Sequence, residues 1–211
     1  MNAPKKEQKK ILFFDTETSG FLKKALTSDD PNQAWCIQIG AILATAEKDL
    51  KHLNVIIQAQ GREINWHAEQ VHGISTERTE IDGILELEAI EQFGLLLKQA
   101  DLIVCHNFNF DWPYVVQMAE RNNDKLSNEA RSAFYLDHDN YCTMRDKKII
   151  KFCNLKNKAG RPKWPKLTEL HDILFNESFD NAHDAMEDIQ ATKRCFLELV
   201  ERGLISVELE K

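Results

Sequence analysis

Residues 11–17 read Ile11-Leu12-Phe13-Phe14-Asp15-Thr16-Glu17, four apolar residues that run straight into two carboxylates. A short continuous apolar run of this kind marks a strand buried on both faces. Side chains at i and i+2 of a strand share one face, so Asp15 and Glu17 lie about 7 Å apart along the backbone at roughly 3.3 Å rise per residue. Two negative charges at that spacing repel by roughly 2 kcal/mol at an effective dielectric of about 20. A cation between them removes that cost. Oxygen-only ligands favour a hard divalent ion such as Mg²⁺ or Mn²⁺ over Zn²⁺, and such a site asks for further acids from elsewhere in the chain. Two segments offer them: His106-Asn107-Phe108-Asn109-Phe110-Asp111 and His183-Asp184-Ala185-Met186-Glu187-Asp188.

The first strand is expected from about Lys10 to Glu17. Ser19-Gly20 marks a turn, and the polar stretch to Gln33 reads as a loop. Trp35 to Ala46 and Leu50 to Gln60 read as a β-hairpin around Glu47-Lys48-Asp49. Helical patterns follow at Ala68 to His72, Ser75 to Ile81 and Leu87 to Lys98, the last with Ile90, Phe93, Leu96 and Leu97 on one face. Leu102 to Cys105 is a wholly apolar buried strand. A helix over Asn109 to Arg121 takes Pro113 in its first turn and turns Tyr114, Val115 and Met118 inward. Asp111 then lies near the carboxyl end of a central strand, where open α/β sheets place their ligands.

Leu167 to Leu174 and Ala185 to Val200 complete the helices, with Gly203 as a stop. His183 and Asp188 are five residues apart, about 140° around a continuous helix of 3.6 residues per turn. Both can reach one cleft if Asp184 caps the helix, Glu187 closes a capping box, and His183 stays in the loop before it.

A chain of 211 residues with 43% hydrophobic and 29% charged residues buries a core of its own and reads as one domain. The expected division is a flexible lysine-rich segment 1–9, a domain over 10–203 and a short tail 204–211. No apolar run approaches a membrane span, and the lysine-rich start leads into a strand, so a cytoplasmic protein with no membrane partner is expected. The five cysteines are scattered, with no CxxC pair, which speaks against disulfides and structural zinc. A formal net charge of −7 argues against a broad basic surface for coating nucleic acid, but not against phosphate held through metal ions. One local reversal stands out: nine Lys and Arg between Arg145 and Lys166 face the single acid Asp146. It reads either as a rim guiding a nucleic-acid strand or as a solvated helix and loop, with Trp164 either stacking on a base or, as the favoured reading, plugging the loop onto the body of the protein.

Four carboxylates from three segments, with a histidine, meet the needs of two-metal phosphodiester hydrolysis, in which cations about 3.5–4 Å apart bracket the phosphate. Such chemistry also needs a base, a role that the imidazole of His183 would fill. Phe14-Asp15-Thr16-Glu17-Thr18-Ser19-Gly20, His106 to Asp111 and Ala182 to Asp188 resemble the three motifs of the DnaQ-like, DEDDh 3′-to-5′ exonucleases. That group includes polymerase III epsilon-type proofreading subunits, RNase T and oligoribonuclease, and the resemblance spans roughly Lys10 to Gly203.

The resemblance implies an α/β, RNase H-like fold, a five-stranded mixed sheet flanked by helices on both faces. It also implies an enzyme that releases 5′-mononucleotides from 3′ ends with two divalent ions, Mg²⁺ or Mn²⁺. Asp15 would bridge both ions, Glu17 and Asp188 would bind the nucleophile-side ion, Asp111 would hold the second, and His183 would be the base. Thr16, Thr18, Phe21 and Asn107 match positions that line the terminal nucleotide, Phe21 being a candidate for stacking on its base. Val71-His72-Gly73-Ile74, frequent in the family, reads as loop packing.

The expected partner is a nucleic-acid 3′ end, with single-stranded DNA favoured. RNA trimming stays open, because no residue declares a contact to the 2′-hydroxyl. The alternative from another class is a docking or proofreading module bound to a polymerase. The short tail after Gly203 leaves little tether, so a free-standing enzyme is expected, as monomer or homodimer.

Overall fold

The structure, a computed structural model, describes residues 7–177 and 185–210. Its centre is β1 (Ile11–Thr18), paired antiparallel with β2 (Cys36–Ala44) and parallel with β4 (Leu102–Cys105). β2 continues antiparallel to β3 (Asp49–Ile56), and β4 parallel to β5 (Asn140–Cys142). The order β3-β2-β1-β4-β5 makes the expected five-stranded mixed sheet. Every residue of β2 is buried, as befits an inner strand covered on both faces.

The pleat of β1 divides the core. Leu12 and Phe14 point to one face, packed by α3 (Glu86–Leu97), α4 (Phe108–Asn122) and α5 (Asn128–Ala133). Ile11 and Phe13 point to the other, packed by α6 (Lys147–Cys153), α7 (Leu167–Phe175) and α8 (Ala185–Glu201). Along α8, Ala185, Ile189, Thr192, Phe196 and Leu199 are buried, the stripe of an amphipathic helix. Two short helices, α1 (Trp66–His72) and α2 (Thr76–Asp82), bridge β3 to α3. Asn65 and Ser75 cap them by accepting backbone N–H bonds from His67 and Arg78.

The structure corrects the sequence expectations in three places. α4 begins at Phe108, entered through Asn107 in the left-handed region (φ 81°), so Pro113 stands in the second turn instead of the first. β5 and α5 went unread because three to six residues show no periodicity of their own, and α6 gives bounds to the helix that was one reading of the basic segment. Trp164 does not plug the loop: 53% of it is exposed. All five cysteines are free thiols. Among the described residues no helix is long and apolar enough to cross a membrane.

Candidate active site

Alternation along β1 sends Asp15 and Glu17 to the face covered by α8, and Thr16 to the face covered by α4. The first turn of α8 presents Asp188 to the first pair, and oxygens of Asp15, Glu17 and Asp188 all lie within 4.8 Å of one another. The first turn of α4 presents Asp111, which with Asp15 and Cys105 forms a second group of the same tightness. Asp15 belongs to both. β1 and β4 are parallel neighbours, so their carboxyl ends deliver Asp15 and the turn into α4 to the same edge of the sheet.

Asp111 is buried and held. Its Oδ1 accepts the Thr16 hydroxyl at 2.7 Å and the Thr16 N–H at 3.3 Å, and its Oδ2 accepts the Cys105 thiol at 3.3 Å. Burial outweighs these bonds and pushes the Asp111 carboxyl up to about 7. Burial, then the charges of Asp111, Glu17 and Asp188, push the Asp15 carboxyl well above the usual carboxylate range. Burial also drives the Cys105 thiol well up, assisted by the Asp111 and Asp15 charges, so it acts as an S–H donor and not as a thiolate ligand. Protons or cations relieve such a cluster. An all-carboxylate set suits a hard divalent ion.

His106 fastens the far wall. Its Nε2 lies 3.2 Å from the Pro165 carbonyl, which only accepts, so Nε2 carries the hydrogen and Nδ1 accepts the Thr143 hydroxyl at 2.8 Å. Burial lowers its pKa to about 4, leaving a neutral positioning group. The resulting cavity, of about 390 Å³, is lined by Asp15, Glu17, Asp111 and Asp188 together with Asn107, Met144 and Lys166.

A second hollow of about 440 Å³ adjoins it through Thr16 and Glu17, and its walls include Thr18, Phe21, Val71, His72 and Phe110. Phe21 is 81% exposed, with its ring edge-on to Phe110 at 5.9 Å. The turn that carries Phe21 is anchored, since the Tyr114 hydroxyl donates to the Gly20 carbonyl at 2.5 Å. In the Val71-His72-Gly73-Ile74 segment, Gly73 adopts φ 69°, Ile74 is buried, and His72 Nδ1 accepts the Ile74 N–H at 3.0 Å.

Of the residues singled out in the sequence, Asp15, Glu17, Asp111 and Asp188 converge on one cavity that Thr16 and Asn107 also line. Thr18 and Phe21 line the adjoining hollow. The Thr16 hydroxyl is committed to Asp111, and Asn107 Oδ1 accepts both Nε (3.3 Å) and a terminal guanidinium nitrogen (3.2 Å) of Arg145. His183, with the Asp184 cap, lies outside the described residues. Cys105, His106 with Thr143, and Lys166 escaped the sequence reading as parts of the site. For Cys105 the only signal was its place at the end of the strand that feeds the motif helix.

An exonuclease family model, of the RNase T type, matches residues 12–196. The chain belongs to this exonuclease family. It is the DnaQ-like family that the three motifs resemble, and its matched span contains every acid of the cavity. No curated protein matches the chain by sequence. Among solved structures, Escherichia coli exonuclease I in complex with a dT13 oligonucleotide is similar, with a TM-score of 0.73 at 19% identity over 92% of this exonuclease chain and 42% of the other. Its complex with a dA16 oligonucleotide gives 0.70 at 18% identity over 93% and 42%. A product-bound exonuclease I gives 0.71 at 17% identity over 94% and 45%. This exonuclease domain thus spans less than half the length of those chains, and the likeness establishes a common fold.

Proposed function

We propose that this chain is a metal-dependent 3′-to-5′ exonuclease that hydrolyses the terminal phosphodiester of single-stranded DNA and releases 5′-mononucleotides. The observation that carries the reading is the sharing of Asp15 between two groups, one with Glu17 and Asp188, the other with Asp111. Asp15 would hold both of two Mg²⁺ or Mn²⁺ ions, with Glu17 and Asp188 on one and Asp111 on the other. When bound, such ions make water a nucleophile near neutral pH and stabilise the charge that builds on the leaving 3′ oxygen.

The chain's own groups do the rest. Thr16 and Cys105 orient the Asp111 carboxylate, and the neutral His106 pins the end of β4 to the segments that follow β5 and precede α7. His183, five residues before Asp188, would take the proton of the attacking water. The hollow beside Phe21 would receive the terminal base, with the ring as a stacking surface. DNA is favoured over RNA because the similar structures of exonuclease I hold dA16 and dT13 oligonucleotides. A docking module without turnover is disfavoured, since all four acids are present and converge.

The test is degradation of 5′-labelled single-stranded DNA and RNA in Mg²⁺, Mn²⁺ or EDTA, beside an Asp15→Asn control. A ladder that shortens one nucleotide at a time, faster on DNA and abolished by EDTA and by the substitution, is expected. Equal rates for Asp15→Asn and the unaltered protein would refute the site. Faster loss of RNA would turn the substrate assignment to RNA trimming.

A further inference from the structure

We propose that Arg145, Trp164 and Lys166 form a shelf at the lip of the catalytic cavity that grips single-stranded nucleic acid upstream of the terminal nucleotide. The cations of α6 and of the loop after it extend this shelf. The proposal rests on the nuclease reading and adds the surface that takes the rest of the strand.

Position comes first. Lys166 lines the same cavity as Asp15 and Asp188. The Arg145 fork donates to Asn107, another residue of that wall, while its guanidinium lies 4.3 Å from the centre of the Trp164 ring. A continuous line of contact thus runs from the turn that launches the Asp111 helix to an indole 53% exposed to solvent. An indole this exposed adds little to the core, and Arg145 covers one face of the ring. Aromatic rings and guanidinium planes beside a cationic track are the surfaces on which unpaired bases stack while their phosphates are neutralised.

Charge points the same way. Nine cations stand against one acid in residues 145–166 of a chain with net charge −7. Among the described residues only Lys163 of the nine forms an ion pair, with Glu169 at 2.5 Å. The single acid, Asp146, is spent locally: it caps α6 through the Lys148 N–H at 2.6 Å and accepts the Tyr141 hydroxyl at 2.7 Å. In a chain of net negative charge, a cationic lip neutralises the phosphates that remain outside the cavity.

The scaffold is held, so the charges are presented and not merely scattered. Ile149 and Cys153 anchor α6 in the core. The following loop is closed by the Lys156–Pro162 bridge and by Asn157, whose Oδ1 accepts the Ala159 and Arg161 N–H groups at 2.9 and 3.0 Å.

The test uses the full chain and two substrates: the p-nitrophenyl ester of thymidine 5′-monophosphate, which has no upstream strand, and a 5′-fluorescein dT10 oligomer. Turnover is followed in Mg²⁺, and oligomer binding by anisotropy in EDTA. Trp164→Ala should raise the oligomer's Kd and KM about ten-fold, as expected when one base loses its stacking partner. It should lower kcat/KM on the oligomer far more than on the ester, and Trp164→Phe should restore most of the loss. Lys147→Glu with Lys151→Glu should flatten the slope of log Kd against log salt by about 0.7 for each phosphate that is no longer neutralised.

Oligomer affinity unchanged in every variant would overturn the shelf, whether or not the protein turns over. Equal losses on ester and oligomer would also overturn it, showing damage to the cavity itself. If the unaltered protein cleaves neither substrate but binds the oligomer through these residues, the nuclease reading falls and the shelf stands.

Discussion

Asp15 concentrates the electrostatics of the site. Its carboxyl is pushed well above the usual range by burial and by Asp111, Glu17 and Asp188, and Asp111 is pushed to about 7, chiefly by burial. A folded-state pKa above the unfolded value of about 3.9 means that the protonated group favours the fold. That contribution is complete below about pH 4 and is lost as the pH rises through the folded value. In EDTA, therefore, the protein should lose stability between about pH 4 and pH 7 on account of Asp111, with Asp15 adding to the loss. Asp15→Asn should raise the melting temperature at pH 8 by a few degrees, at about 2–4 °C per kcal/mol for a chain of this length. The gain should vanish near pH 4. Mg²⁺ should stabilise the unaltered protein, by about 2.7 kcal/mol at a hundred times its Kd, and should leave the variant nearly unmoved. Thermal melts across pH with and without Mg²⁺ check this. A variant that melts below the unaltered protein at pH 8 in EDTA would contradict the electrostatic account.

At the scale of elements, the decisive contact is that between β2 and α8. Gly40 sits opposite Asp15 in the sheet, and a Cβ there would come within 2.5 Å of Ile189 Cδ1 and 3.4 Å of Ala185 Cβ. The absent side chain lets α8 lie close on the sheet, and that closeness brings Asp188, the neighbour of Ile189, to Asp15 and Glu17. Gly40→Ala should destabilise the fold by about 1–3 kcal/mol, the usual range for overpacking a core. It should also reduce kcat more than KM by displacing Asp188. Urea melts and steady-state kinetics read the two effects. A fully stable variant with normal kcat would show that Ile189 simply turns aside. The i, i+2 spacing on β1 and the strand-then-helix placement of Asp111 were legible because strand alternation and the first turn of a helix are local in the chain. Nothing local announced that Gly40 would meet α8.

Across the whole molecule, Glu86 ties distant parts together. It starts α3, pairs with Arg62 at 2.9 Å and Arg121 at 2.8 Å, and accepts the Asn122 amide at 2.9 Å. Arg121 also donates to the Ser28 carbonyl, so the loop between β1 and β2 is bound to the same hub. Burial opposes the charge on Glu86, but the bonds and charges of Arg121 and Arg62 prevail and hold its carboxyl below the usual range. Glu86→Ala takes the carboxylate from two partly buried guanidinium groups, which keep only backbone carbonyls as acceptors, and should cost about 3 kcal/mol, the low end of the range for breaking a buried pair from one side. A urea midpoint within error of the unaltered protein would show that these arginines find other partners.

The family, the order of the three acidic segments and the longer strands and helices were legible in the sequence, while the short β5 and α5 were not. Each depends on spacing within a few residues, where periodicity and caps act. The tertiary structure alone decided that the Thr16 hydroxyl serves Asp111, 95 residues away, and that Cys105 shares the task. It alone decided that His106 is neutral and that Trp164 stands out under Arg145 instead of plugging the loop. These contacts arise from the register of β1 between β2 and β4 and from the depth at which helices settle on the sheet. Register and depth are set by the packing of the whole core, which no short stretch of sequence contains.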